Sequence, residues 1–175
     1  GDPGSFDPER AIDPAVFLAF VQDTQPATWE ALENLHGPDT AAIVLDDLCK
    51  ALDGAAGSLG VLRHGFKCIG KRIYAAFFAP AHGMNPDNAR LYAANRLTVT
   101  RQLHYSEREP AKSLDLVLAL NGIPVATAEL KNPLTGQTVA HAMHQYMTDR
   151  DPRTPFSTSS GGPWSTSPSI RTRST

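Results

Sequence analysis

Asn121-Gly122 separates two apolar runs and constrains the fold of this chain more than any other pair of residues. The dipeptide suits the centre of a type I′ turn, where both residues need positive φ. On either side lie strand-like runs, Ser113 to Leu120 and Ile123 to Leu130. The spacing therefore predicts a hairpin of two buried strands. Side chains alternate along a strand, so Glu129 and Lys131 point one way and Leu130 the other. Asp115 interrupts the first run six positions before Asn121, and Glu129 stands seven positions after Gly122. With arms so nearly equal, two carboxylates and a lysine converge on one patch.

Two carboxylates at the ends of buried strands offer oxygen ligands to a hard divalent cation such as Mg²⁺, with the backbone carbonyl of Leu130 as a further donor. A lysine beside the metal can orient or help deprotonate an attacking water, and the metal can stabilise charge developing on a phosphodiester. The alternative use of an acid-x-Lys at a strand end is a solvated ion pair. The spacing Asp-x13-Glu-x-Lys resembles the pattern of the PD-(D/E)xK nucleases.

Resemblance extends well beyond this motif. The segments FDPERAIDPAVFLAFVQDTQPATWEALENLHG, LGVLRHGFK, ARLYAANRLTVTRQLHYS, KSLDLVLALNGIPVATAELKNPLTGQTV and QYMTDRDPR, in order from about Ser5 to Pro155, look like the N-terminal nuclease domain of the restriction (motor) subunit of type I restriction-modification enzymes. The resemblance implies an α/β fold with a mixed central β-sheet flanked by helices, like that of restriction endonucleases. It places Asp115, Glu129 and Lys131 in the family's metal-binding and catalytic positions. It also implies a Gln-x-x-x-Tyr element on the helix after the lysine strand. Tyr146 matches that element, but Ala142 stands four before it and the glutamine, Gln145, adjoins the tyrosine, which leaves the role of Gln145 open.

The implied enzyme is a type I site-specific deoxyribonuclease of the bacterial or archaeal cytoplasm. It would cleave double-stranded DNA with Mg²⁺ after ATP-driven translocation, in complex with specificity and modification (methyltransferase) subunits. The ATP site of such an enzyme belongs to a downstream motor and none is expected in this chain. Two other classes stay open: an inactive, non-catalytic remnant, and a stand-alone PD-(D/E)xK nuclease or resolvase.

Ahead of the hairpin the chain reads as helical over about 5–55, with the nuclease core over about 60–155. Asp13-Pro14 caps a helix with Val16, Phe17, Phe20 and Val21 on one stripe. Thr28 is expected to cap a second, carrying Trp29, Leu32 and Leu35 and stopped by Gly37-Pro38. Asp39 to Leu52 reads as a third, ended by a glycine-rich break from Gly54 to Gly60. Gly65 to Lys71, GFKCIGK, matches the G-x4-GK of a phosphate-binding loop. Arg72 occupies the Ser/Thr position, and strand-like residues follow where a helix must start, so a turn and a strand from Lys71 to Ala79 are expected instead.

Pro86 to Asn95 reads as a short helix. Leu97 to Tyr105 reads as a strand able to pair with the Asp115 strand, with Arg101 and His104 as its polar positions. Arg101 could contact a phosphate or a site carboxylate, or serve structurally, and His104 reads as structural. Thr138 to Arg150 has a helical stripe of Val139, Met143, Tyr146 and Met147. His141 and His144 on its flank have no third ligand nearby and read as surface residues.

A net charge of −2 and a pI near 6.3 give no bulk attraction to nucleic acid, so DNA binding requires a local basic face or partner subunits. Cys49 and Cys68 have no metal-type spacing and are expected as buried free thiols. No stretch is apolar enough to span a membrane. The first residue is Gly1, from which a fragment is expected.

Residues 1–155 are expected to form one domain, and 156–175 a disordered tail dominated by Ser, Thr, Gly and Pro. Codons can be chosen for Phe156 to Thr175 that, read from the third base, encode FHFKRRALVHFAVDPDEVY. Its RALVHFAV segment is strand-like and resembles the family's continuation. The tail is accordingly expected to be out of frame, with the motor and the next strand of the sheet lost.

Overall fold

A computed structural model describes residues 1–80, 85–105 and 113–130. Its first half is helical. Helix α1, Pro14–Thr24, opens on Asp13, whose carboxylate accepts the Val16 N–H at 3.1 Å, with proline at the first helical position where its missing N–H costs nothing. Helices α2, Pro26–His36, and α3, Thr40–Asp53, follow, joined by a 3-10 turn over Gly37–Asp39. The second helix starts at Pro26 rather than at Thr28, because proline there presets the first helical φ. Trp29 and Leu32 face the core as expected, but Leu35 is 64% exposed. Val44, Leu48 and Leu52 of α3 are buried.

The glycine-rich break is shorter than its composition suggests. Helix α4, Gly57–His64, begins inside it and buries Val61 and Leu62. A two-residue hairpin follows, β1 (Phe66–Cys68) against β2 (Lys71–Ile73), with Ile69 and Gly70 at its tip. The G-x4-GK match therefore lies on an antiparallel ribbon and not on a strand-loop-helix phosphate cradle.

Ile69 has φ 46°, a left-handed conformation that a β-branched side chain adopts at a cost of roughly 1–3 kcal/mol. Since it is exposed, nothing in the core requires it. Ile69→Asn, which gives this turn the chemistry of Asn121-Gly122, should raise the thermal midpoint by about 2–4 °C. Calorimetry checks this, and an unchanged or lower midpoint would rule out strain at the tip.

The strand expected from Lys71 to Ala79 ends at Ile73, and two side-chain amides take over the backbone beyond it. Gln25, between α1 and α2, accepts the Tyr74 N–H at 2.8 Å and donates to the Tyr74 carbonyl at 2.9 Å. Asn95 does the same for Phe77, at 3.1 and 2.5 Å. Each amide presents one donor and one acceptor, as a neighbouring strand would, and so satisfies backbone groups that have no sheet partner.

Helix α5, Pro86–Ala93, capped by Asn85, leads into the main sheet. This sheet is β3 (Leu97–His104), β4 (Ser113–Leu120) and β5 (Ile123–Ala128), in that order and antiparallel throughout. The α/β class and the β3–β4–β5 meander agree with the sequence.

Burial of the strands is partial. Leu97 and Val99 of β3 and Leu118 of β4, which share a face through the pairs Leu97↔Leu120 and Val99↔Leu118, are exposed. The larger core gathers Phe17, Phe20, Trp29, Leu48, Phe66, Ile73 and Ile123 from the helices, the ribbon and the hairpin tip. A smaller one joins Ala11, Leu103, Tyr105, Leu114 and Val117. Cys49 and Cys68 are free, and burial pushes both thiols up to about 11, so neither is primed as a nucleophile.

Candidate active site

The Asn121-Gly122 turn is anchored in the core. Asn121 (φ 51°) and Gly122 (φ 82°) take the left-handed conformations a type I′ turn demands, and Asn121 is fully buried. Its side chain donates to the Ala75 carbonyl at 2.9 Å and to Asn95 Oδ1 at 3.0 Å, and accepts the Arg96 N–H at 2.7 Å. Its own N–H donates to the Arg96 carbonyl, and the Gly122 carbonyl accepts the Asp13 N–H, both at 2.8 Å. One turn thus ties together the start of α1, the extended segment after β2 and the entry to β3. From this fixed end, β4 and β5 run outward to the candidate site.

The two arms differ by one residue, and a β-bulge absorbs the difference. Next to the turn the pairs are Leu120↔Ile123 and Ala119↔Pro124; beyond it they are Leu118↔Ala126, Val117↔Thr127 and Leu116↔Ala128. Val125 has no partner and is the inserted residue. Continued by one step, the outer register sets Glu129 across from Asp115. Without the bulge, Asp115 would face Ala128, and Glu129 would be displaced to the other side of the ladder.

A hydrogen bond brings Asp115 to the same stretch of chain: the Leu130 N–H donates to Asp115 Oδ2 at 2.6 Å. The carboxylate of β4 thus reaches the backbone at the exit of β5. Asp115 is half-buried, while Glu129 and Leu130 are exposed, so the site sits at the sheet's edge. A bond to one oxygen leaves a carboxylate further acceptor positions, and all its donors toward a cation are hard oxygens.

Among the described residues no group of three His, Cys, Asp or Glu side chains could hold a metal ion. Any cation here would depend on Asp115, Glu129, a backbone carbonyl such as that of Leu130, and water.

Arg101 lies one pair away, opposite Leu116, exposed and without an ion pair to Asp115 among the described residues. His104 ends β3 opposite Ser113. Lys131, Gln145 and Tyr146, with His141 and His144, lie outside the described residues. The bulge at Val125 is what the sequence reading lacked. Its signal was the mismatch itself, six positions on one side of the turn and seven on the other.

No helix among the described residues is long and apolar enough to cross a membrane. Comparison with known families matches the type I restriction enzyme R protein N terminus over residues 45–159, a span that includes the ribbon, the sheet, Asp115 and Glu129. Neither the curated proteins nor the solved structures give a match.

Proposed function

The chain belongs to the family of type I restriction enzyme R protein N termini, and from that membership we infer that it carries the DNA-cleaving part of such an enzyme, a Mg²⁺-dependent endonuclease acting on double-stranded DNA. What supports this reading is the bulged register of β4 and β5, whose continuation one step past Leu116↔Ala128 would set Glu129 across from Asp115, together with the bond from the Leu130 N–H to Asp115.

In the proposed mechanism Asp115, Glu129 and the Leu130 carbonyl would hold the cation, and Mg²⁺ there would supply Lewis-acid stabilisation of the phosphodiester. Asp115 is aimed by the Leu130 amide, which fixes the carboxylate without a flexible side-chain partner. Glu129 contributes the second carboxylate from the strand exit, where exposure gives a duplex access. Lys131, two residues further in the sequence, is assigned to orient the nucleophilic water and assist its deprotonation. Tyr146 and Gln145 are proposed as DNA contacts, and Arg101, paired with Leu116 on the face away from Asp115, for a phosphate outside the acid pair. Cleavage in the full assembly would follow ATP-driven translocation by a motor, with specificity and modification subunits choosing the sequence. The phosphate-loop-like stretch forms a ribbon, so no nucleotide site is assigned to it.

The test is a Mg²⁺ titration followed by thermal unfolding, with Asp115→Ala alongside. Binding to the folded chain should add roughly 2.7 kcal/mol at about 100 times Kd, a rise of about 5–10 °C that the variant loses. An equal rise in the variant, or none in either protein, would overturn the assignment of the acid pair.

A further inference from the structure

We propose that the β1–β2 ribbon and the last turn of α4 form a docking surface for the phosphate backbone of duplex DNA, separate from the acid pair. The choice of DNA as the polyanion rests on the nuclease reading. The surface itself rests on charge and geometry.

Although the chain carries a net −2, no Asp or Glu occurs from Gly54 to Pro86, while Arg63, Lys67, Lys71 and Arg72 all fall inside that stretch. All four are exposed. Lys67 pairs directly with Arg72 across the ribbon. Like charges at opposed positions destabilise a strand pair, by up to about 1 kcal/mol, so folding alone does not explain this pairing. None of the four is in an ion pair among the described residues, whereas Arg10 is paired with Asp7 and Asp46, and Lys50 with Asp47.

Arg72 donates to the His64 carbonyl at 2.6 Å, which fixes its guanidinium beside Arg63 at the end of α4. Lys67 and Arg72 share the ribbon's outer face, whereas Phe66, Cys68 and Ile73 on the other face are buried in the larger core, and Lys71, paired with Cys68, is exposed beside the turn. The cations therefore project from a rigid platform and lose little freedom on meeting a ligand.

An acidic protein surface is the competing occupant. Lysine is depleted at protein interfaces, however, and a cluster of Lys and Arg on a narrow ribbon fits evenly spaced phosphates better.

The experiment measures anisotropy of a short labelled DNA duplex with the full chain, in EDTA, across a salt series. The comparison is Arg63→Ala/Lys67→Ala/Lys71→Ala, which leaves the structural Arg72 in place. The expected result is an affinity loss of at least about tenfold and a slope of log K against log salt reduced by about three, with the melting midpoint not lowered.

An unchanged slope in the folded triple variant, or no duplex binding by the parent chain, would overturn the surface. Poly-L-glutamate binding as tightly as DNA would overturn the choice of partner. In EDTA no cleavage is read, so this assay does not depend on the acid pair. Failure of the nuclease assignment therefore shows in the Mg²⁺ titration and failure of the docking surface shows in this one.

Discussion

Asn121→Ala should lower the thermal midpoint by roughly 10 °C, more than most surface-turn substitutions in a chain of this size. The change removes three side-chain hydrogen bonds from a fully buried position, leaving the buried Ala75 carbonyl without this donor and the Arg96 N–H without this acceptor. Each orphaned buried group costs about 1–3 kcal/mol. Alanine is also less tolerant than asparagine of φ 51°, adding about 1 kcal/mol. The sum is roughly 3–5 kcal/mol, a large part of a typical domain's stability.

Asn121→Asp separates this account from simple turn propensity. Asp-Gly suits a type I′ turn as well as Asn-Gly does, so an exposed turn would accept the change. Here the second oxygen would replace a donor that faces the Ala75 carbonyl and Asn95 Oδ1, in a place where a charge is not solvated. Calorimetry of both variants decides the matter, and an Asp variant melting like the parent would show that the side chain does not clamp the core. Gly122→Ala should be similarly costly, since a Cβ at φ 82° would overlap the Asp13 carbonyl at the start of α1.

The hairpin was legible because its two signals, an Asn-Gly pair and flanking apolar runs, are local. Helix α1 was legible for the same reason, through Asp13-Pro14 and its stripe. The role of the turn as a clamp was not, because the partners of Asn121 lie 25 to 46 residues away in sequence. Helix α4 was hidden by Gly57 and Gly60, which carry weak propensity, and it exists because Val61 and Leu62 have a core to enter. The stretch after Ile73 looked like a strand because its apolar residues are buried like one. Its hydrogen bonds go to Gln25 and Asn95, whose amides imitate a strand without leaving a pattern in the sequence.

The candidate site was legible as a set of residue types and nearly as a geometry. Nearly equal spacing from the turn, six positions against seven, suggested that Asp115 and Glu129 meet, but unequal arms in a regular ladder would have put them out of step. Only the pairing on each side of Val125 shows how the discrepancy is resolved. The basic ribbon was masked differently. Net charge averages over the whole chain, and the average is acidic, although one stretch contains no acid at all.

A single alanine inserted after Val125 should abolish both the Mg²⁺-dependent rise in stability and DNA cleavage, as completely as Asp115→Ala. The argument is one of register. The existing bulge accommodates one surplus residue on β5, and its register, continued one step past Ala128, sets Glu129 across from Asp115. A second surplus residue must widen the bulge or slip the ladder, and a one-residue slip turns every later side chain of the strand to the opposite face. Glu129 would then leave the Asp115 side, and the Leu130 N–H would lose its carboxylate acceptor.

Deletion of Val125 makes the opposite case. It equalises the arms, so a regular ladder again sets Glu129 against Asp115, and the Mg²⁺ response should survive even though removing a half-buried valine lowers the baseline midpoint by roughly 1–3 kcal/mol of stability. The metal-dependent increment, not the absolute midpoint, is the quantity to compare, with plasmid cleavage measured in the assembled enzyme. An insertion variant that keeps its increment would mean that the two carboxylates do not act as a pair, and a deletion variant that folds and loses it would mean that the bulge shapes the site by more than its register.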